Sequence, residues 1–376
     1  MDDGLSWLVV VALNSPPSIV GYLYPWDTGE RLDRVLDTIR PDRVALAGLY
    51  HSVRATSFAD GNARVVDAWH GATYLGREAW SGQCIQPSAP TGWACEDAFG
   101  KARAWLRSRG LETDAWLVLS HLEGIIAPGH FVVNAVGEEL PHTLCAGRPA
   151  FKEHAIAALT AALTGGASDG IVLEAVASLG ASHPVSHDKT NALGRSHERQ
   201  TFASWCFCLS CAGRRGYEDG RLRRTVSDVI DGRLEARSQE ARAAALALSA
   251  DRTAMLRMLL SGLAIHARSL GCKRVAAFVT ADEESFSPSL PASALEFGSV
   301  DVAVVSAWGD PRRAAAELAA LRSNSGIQQI GAYVSVLADG SATLRCQDIK
   351  EWSLDEIHLY HLGLASDDNL ALWASY

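Results

Sequence analysis

Gly170-Ile171-Val172-Leu173-Glu174 is the stretch on which the fold turns. Three large apolar residues in succession, without polar alternation, describe a strand covered on both faces, and a carboxylate ends it. Seven other segments read the same way. Residues 18–24 (SIVGYLY), 43–49 (RVALAGL) and 114–120 (DAWLVLS) precede it. Residues 274–280 (RVAAFVT), 300–307 (VDVAVVSA), 330–336 (IGAYVSV) and 357–362 (IHLYHL) follow. Between them, 30–39, 95–109, 150–164, 221–270 and 311–323 carry apolar residues at three- and four-residue intervals, the helical period. Strand alternating with helix implies parallel pairing through right-handed crossovers, and eight such units suit a closed (β/α)8 TIM barrel. No internal repeat, low-complexity tract or interdomain linker interrupts the pattern, so a single barrel domain over 1–376 is expected. Its long loops follow strands two, three and four, and an insertion at 176–220 carries a cysteine cluster.

The chain-wide numbers agree. With 376 residues, 48% hydrophobic and 20% charged, and a mean hydropathy of +0.03, this is an ordinary globular composition. The formal net charge of −9 and pI near 5.7 argue against a nucleic-acid partner. Even the densest basic stretch, Arg214-Arg215 and Arg221 to Arg224, is interrupted by Glu218 and Asp219. The start, Met1-Asp2-Asp3-Gly4, is acidic where a signal peptide needs positive charge, and no apolar run is long enough to cross a bilayer. A cytoplasmic protein without a membrane partner is the expectation, with room for a homo-oligomer.

Barrel enzymes carry their chemistry where the C-terminal ends of the strands converge. Here those ends deliver Tyr24, Trp26 and Asp27, then Tyr50, His51 and Arg54, then His121 and Glu123. Beyond Glu174 come Thr280, Asp282 and Glu283, then Trp308 and Asp310, then Ser335 and Asp339, and last His361. Aromatic faces for apolar sugar faces, with charged groups for hydroxyls, make a carbohydrate-binding lining; any one of these could also be an ordinary polar loop residue. Glu174 stands where a buried strand meets the mouth, so its carboxyl is partly desolvated and suited to donate a proton near neutral pH. The plainer alternative is a buried ion pair. The polar runs His183, His187, Asp188, Lys189 and His121, His130, Asn134, Glu138, His142 supply further candidates for contacting substrate. The first could equally be a solvated loop, and the second lacks the helical spacing of a metal-binding histidine pair.

Eight cysteines in a chain this long do not make a disulfide scaffold. Cys206-Phe207-Cys208-Leu209-Ser210-Cys211, however, supplies three thiolates from one tight loop, three of the four that a structural zinc takes. Cys145 is the expected fourth, with His142 and His197 as substitutes; the alternative is three buried or oxidised thiols.

His142-Thr143-Leu144-Cys145 leading into a helix, a strand ending in Glu174, and then Cys206-x-Cys208-x-x-Cys211 resemble the catalytic half of the glycoside hydrolase family 42 β-galactosidases. The chain is also similar to uncharacterised actinobacterial glycoside-hydrolase-like barrels, in 47–54 (AGLYHSVR), 134–145, 187–190 and 205–211. The resemblance implies a (β/α)8 barrel, Glu174 as proton donor, and Cys145, Cys206, Cys208 and Cys211 around a structural zinc, with no organic cofactor. Two departures matter. Leu173 stands where that family has Asn, and strand seven (AYVSVL, 332–337) lacks the family's nucleophilic Glu. A retaining mechanism needs two carboxyls about 5–5.5 Å apart and an inverting one about 6.5–9.5 Å.

The expected function is therefore hydrolysis of a glycoside or a related polyhydroxylated small molecule. Glu174 serves as general acid/base and Asp310 or Asp282 as second carboxylate. Tyr24, Trp26 and Trp308 stack on substrate, and His51, Arg54, His121, Asn134, His187 and Lys189 position it. Arg54 can pair with an anionic group. The alternatives are a non-catalytic carbohydrate- or metabolite-binding barrel, non-hydrolytic chemistry on a sugar-derived substrate, or a catalytic metal at the cysteines.

Overall fold

The computed structural model describes residues 16–57, 64–68, 72–90, 97–122, 128–184, 197–308, 310–337 and 349–374. Eight parallel strands close the expected barrel. They are β1 (Ser18–Leu23), β2 (Arg43–Tyr50), β3 (Glu112–Val118), β4 (Gly170–Glu174), β5 (Val275–Thr280), β6 (Val302–Ser306), β7 (Gln329–Ser335) and β8 (Glu356–Tyr360). Each pairs with the next along the chain, and β8 returns to β1 through Ser18↔Glu356 to Gly21↔Leu359. Every strand begins and ends within two residues of its expected segment.

The helices surrounding the sheet are α1 (Glu30–Ile39), α2 (Ala98–Arg107), α3 (Pro149–Leu163), α4 (His197–Ser204), α5 (Leu209–Arg215), α6 (Asp219–Ile230), α7 (Gln239–Ser269), α8 (Pro311–Arg322) and α9 (Asp367–Trp373). The helical pattern over 221–270 resolves into α6 and α7. Gly232, at φ 75°, ends the first, and the Ser238 side chain caps the second by accepting from the Ala241 amide at 3.2 Å. A hairpin (Val53–Ser57 with Arg64–Ala68) follows β2, another (Phe131–Val133 with Glu139–Leu144) follows β3, and α4 to α7 lie between β4 and β5. None of the described helices is long and apolar enough to cross a membrane.

The interior of the barrel is layered, and the layers decide where the mouth begins. At the floor, Asp114 accepts from Arg43 at 2.7 Å and from Arg274 at 2.5 Å; Arg274 also grips Glu356, and Glu356 accepts from His358 Nε2 at 2.9 Å. Burial by itself would raise the Glu356 carboxyl, but His358 and Arg274 outweigh it and bring the pKa down to about 2. Gly331 makes room for this network, since a Cβ there would meet the His358 ring at 2.7 Å. Above it sits an aromatic plug. Tyr22 packs edge-on to Trp116 and Tyr333, with centroids 4.9 and 4.8 Å apart, and Phe278 meets Tyr333 at 4.7 Å. The mouth lies above the plug.

Replacing Arg274 with Met leaves Asp114 and Glu356 short of their shared cation inside the barrel. Urea unfolding should show a loss of about 3–5 kcal/mol, the cost of breaking one partner out of a buried ion pair. A loss within 0.5 kcal/mol, the range of an ordinary surface change, would mean that the network does not hold the floor.

Candidate active site

A cavity of about 830 Å³ opens at the C-terminal end of the barrel. Glu174, at the tip of β4, lines it. The next residue, Ala175, has φ 50°, a left-handed conformation uncommon for a residue with a Cβ. Its amide donates to the Pro288 carbonyl at 2.8 Å and its carbonyl accepts from the Ser120 amide at 2.8 Å, so neighbouring loops impose that conformation. The Glu174 carboxyl accepts a 2.7 Å hydrogen bond from the indole N–H of Trp116 on β3. Desolvation pushes its pKa up to about 7, against the smaller opposing pull of that hydrogen bond. No ion pair to Glu174 is present among the described residues, so the internal ion-pair alternative does not hold there.

Two walls face each other across this carboxyl. One is built from β2, β3 and the loop after β4. Tyr50 stacks on His51 (4.2 Å), His51 on His121 (4.5 Å, 18°), and His183 meets His121 edge-on (4.8 Å, 88°), with Arg54 on the hairpin beside them. The other wall is acidic and aromatic. Trp308, half exposed, lies over Tyr333 (5.4 Å, 16°) and close to Tyr360 (5.0 Å). Asp282, Asp310 and Glu317 also line this wall. One oxygen of each carboxylate already accepts from a backbone amide: Asp282 from Glu284 (3.1 Å), Asp310 from Arg312 (2.9 Å), Glu317 from Ala281 (3.2 Å). Asp310 is thereby the N-cap of α8, which accounts for its place in the sequence without any catalytic role.

Among the residues singled out from the sequence, the cavity gathers Glu174, Asp282, Asp310, His51, Arg54, His121 and Trp308. It does not gather Tyr24, Trp26 or Asn134. Tyr24 and Trp26 are 0% and 5% exposed and stack on each other at 4.7 Å, with His361 against Tyr24 at 4.1 Å; they are core, because their rings are consumed by packing before substrate could reach them. Asn134 folds the tight turn of the second hairpin, accepting from the Val136 and Glu138 amides at 3.1 and 2.9 Å. His187 and Lys189, like Glu123 and Asp339, lie outside the described residues. Trp116, Tyr333, Tyr360 and Glu317 went unrecognised. The signal for Trp116 and Tyr360 was strand alternation: buried polar residues at 114, 356 and 358 mark the inward face, and 116 and 360 continue it; Tyr333 shares that face through its register with His358.

The cysteines form a second centre, away from the cavity. Cys145 follows the second hairpin, and the Phe207 amide donates to the Val133 carbonyl at 2.6 Å, docking the Cys206–Cys211 run on that same hairpin. The four Sγ atoms of Cys145, Cys206, Cys208 and Cys211 lie within 4.8 Å of one another. Cys145 stands 3.6, 3.6 and 3.5 Å from Cys208, Cys211 and Cys206. A disulfide would need about 2.05 Å. A tetrahedral metal with bonds of about 2.3 Å gives edges of about 3.8 Å, so the donor set fits a metal ion. His142, the alternative ligand, is turned to the Gly180 carbonyl at 3.0 Å.

No protein-family model matches this sequence, and no curated protein is significantly related to it. The architecture does match solved structures. The PgaB (BpsB) glycoside hydrolase domain from Bordetella bronchiseptica is 14% identical with a TM-score of 0.54, over 95% of this chain and 98% of that one. The catalytic domain of β-amylase from Paenibacillus polymyxa is 9% identical with a TM-score of 0.53, over 96% and 97%. A β-galactosidase from the psychrophilic Marinomonas ef1 is 8% identical with a TM-score of 0.53, over 95% of this chain but 58% of its own. At these identities the likeness is one of fold: a barrel of the kind that glycoside hydrolases use.

If the four sulfurs hold a structural ion, Cys145→Ser should lose bound metal and lower Tm together, as should prolonged chelation of the unmodified protein. An unchanged Tm after the metal is gone would remove the ion from the architecture.

Proposed function

We propose that this protein hydrolyses a glycoside or a closely related polyhydroxylated small molecule in the barrel mouth, with Glu174 as general acid. The observation that carries the reading is a carboxyl at the tip of β4, lining an 830 Å³ cavity, with its pKa lifted to about 7 and no ion pair among the described residues. A group in that state is about half protonated at neutral pH, and its acid form can deliver a proton to a leaving-group oxygen. The Trp116 N–H fixes the direction of the carboxyl and stabilises the carboxylate left behind. The half-exposed Trp308 over Tyr333 offers an aromatic shelf for a sugar face, while His51, His121 and Arg54 contact hydroxyls on the opposite side. Barrels of like architecture in the PgaB glycoside hydrolase domain and β-amylase support the substrate class.

The second carboxylate comes from the acidic wall. β7 ends in Tyr333-Val334-Ser335, with no acid at the tip where the resembling family keeps its nucleophile. Asp282 is therefore assigned the general-base role for a water, in a single inverting displacement, with Asp310 as the neighbouring candidate. The same missing acid favours a second reading, a barrel that binds sugars without turning them over. Saturable binding of glycosides with no hydrolysis across a chromogenic panel would establish that reading instead. Zinc is assigned to the four cysteines on ligand type and spacing, in a structural role, because none of them lines the cavity.

Glu174→Gln should cut turnover by roughly 10²–10⁴-fold. The wild-type rate should fall as pH rises through about 7, as the acid deprotonates. Trp116→Phe removes a hydrogen bond that favours the carboxylate, so this falling limb should move to higher pH. A Glu174→Gln enzyme that retains wild-type turnover would end the assignment.

Stability gives a second readout. The folded-state pKa of Glu174 lies above its ordinary value of 4.5. The associated stability is complete below about pH 4.5 and is lost as pH rises through about 7. Glu174→Gln should therefore be more stable than the wild type at pH 8, relative to their difference at pH 4. Parallel stability–pH curves for the two proteins would contradict the burial argument.

A further inference from the structure

Two buried side chains whose donors have no hydrogen-bond partner among the described residues line one small cavity, distinct from the mouth. Arg252 on α7 is 7% exposed, and neither its Nη1 nor its Nη2 has a hydrogen-bond partner. Trp205, 3% exposed, leaves its Nε1 equally unpartnered. Both touch Phe286. The guanidinium carbon lies 4.3 Å over the centre of that ring, and the Trp205 ring meets it edge-on at 4.9 Å and 85°. Phe286 thus covers the face of the guanidinium and leaves its in-plane N–H edge as the part able to bind.

The cavity that Arg252, Trp205 and Phe286 share measures about 40 Å³, room for about three water-sized spheres and far too small for a sugar. The other charges lining it are already matched. Arg214 is held by both oxygens of Asp251 (2.6 and 2.8 Å), and Arg215 by Asp219 (2.5 Å). Arg214 also stands against the sulfur cluster, since a Cβ on Gly147 would meet its Nη1 at 2.9 Å and Cys211 Sγ at 3.0 Å. Ser204 Oγ donates to Gln200 O, and Ser178 Oγ accepts from the Ala146 amide at 2.9 Å. Outside the cavity, Glu283 and Asp282 both pull on Arg252 electrostatically without reaching its Nη atoms: Glu283 accepts from Ser293 with both oxygens, and Asp282 Oδ1 accepts from the Glu284 amide. Buried guanidinium N–H groups left without acceptors are unfavourable, and an anion with acceptor capacity entering the cavity would satisfy them.

We infer that this cavity binds one small monovalent inorganic anion of chloride's size, held by the Nη1 and Nη2 hydrogens of Arg252 and the indole N–H of Trp205. The anion would join α7 to the segment that carries the cysteine run, because Trp205 immediately precedes Cys206. The inference stands independently of the hydrolase reading.

The test is thermal unfolding of the full, metal-replete chain in sodium chloride or sodium bromide against sodium gluconate, at equal ionic strength and pH. Gluconate is too large to enter. Chloride and bromide should each give a saturable rise in Tm of roughly 2–6 °C over gluconate. Arg252→Met and Trp205→Phe should each flatten that response, and Trp205→Phe alone suffices if the arginine variant does not fold. Crystals grown in bromide should show an anomalous peak within hydrogen-bond distance of Arg252 Nη1 or Nη2 and of Trp205 Nε1. A Tm indifferent to chloride, an undiminished response in the variants that fold, or a cavity holding only water would each overturn the inference.

Discussion

The hydrogen bond from Trp116 to Glu174 joins the packed barrel to its polar mouth. Trp116 is 1% exposed and belongs to the aromatic plug, fixed edge-on by Tyr22 and Tyr50 at 4.9 and 4.6 Å. A side chain that immobile can hold a carboxyl in one direction without spending conformational entropy when a ligand arrives. Beneath it, the Arg274, Asp114 and Glu356 network keeps charge at the floor satisfied, so the plug above it can be apolar and dry. The elevated pKa of Glu174 follows from its burial at the upper edge of that plug, which disfavours the charged carboxylate. Floor, plug and acid form one vertical argument.

The barrel was legible in the sequence because strands covered on both sides must be apolar throughout, and eight such runs separated by helical periods leave few other topologies. Glu174 was legible for the same reason, as a charge at the end of a run like GIVLE has to mark the end of the core. What the sequence did not disclose was the direction of aromatic rings near the strand tips. Tyr24 and Trp26 lie just beyond the end of β1, yet their rings turn into the packed stack with His361, and sequence position alone does not distinguish that from a ring offered to a ligand. Tyr333 and Tyr360 were missed for the converse reason. Tyr333 sits inside β7 and Tyr360 closes β8, and inward alternation carries both to the mouth. Asn134 shows a third limit: Asn in a short hairpin loop is explained by its own turn, and only coordinates reveal that both amides it serves are local.

Two centres organise the segments that decorate the barrel, and they are served by the same hairpin. The hairpin after β3 carries the chain to Cys145 and, through the Val133 carbonyl, receives the backbone of Phe207, so the cysteine run is tied to the barrel by main-chain bonding as well as by sulfur. A metal ion there would restrain the segment leaving β4, and with it the loop that brings His183 to the cavity. The likeness to glycoside hydrolase barrels at 8–14% identity speaks to the scaffold. The proposed chemistry rests on the local arrangement around one carboxyl.

That carboxyl can be examined directly. Selective ¹³C labelling of glutamate side chains, with the Glu174 resonance assigned by its absence from the Glu174→Gln spectrum, gives its titration in the resting protein. The account predicts a midpoint near pH 7. A midpoint at the ordinary value of 4.5 would mean that the group is solvated and ionised at neutral pH, and the case for a proton donor in this barrel would fall with it.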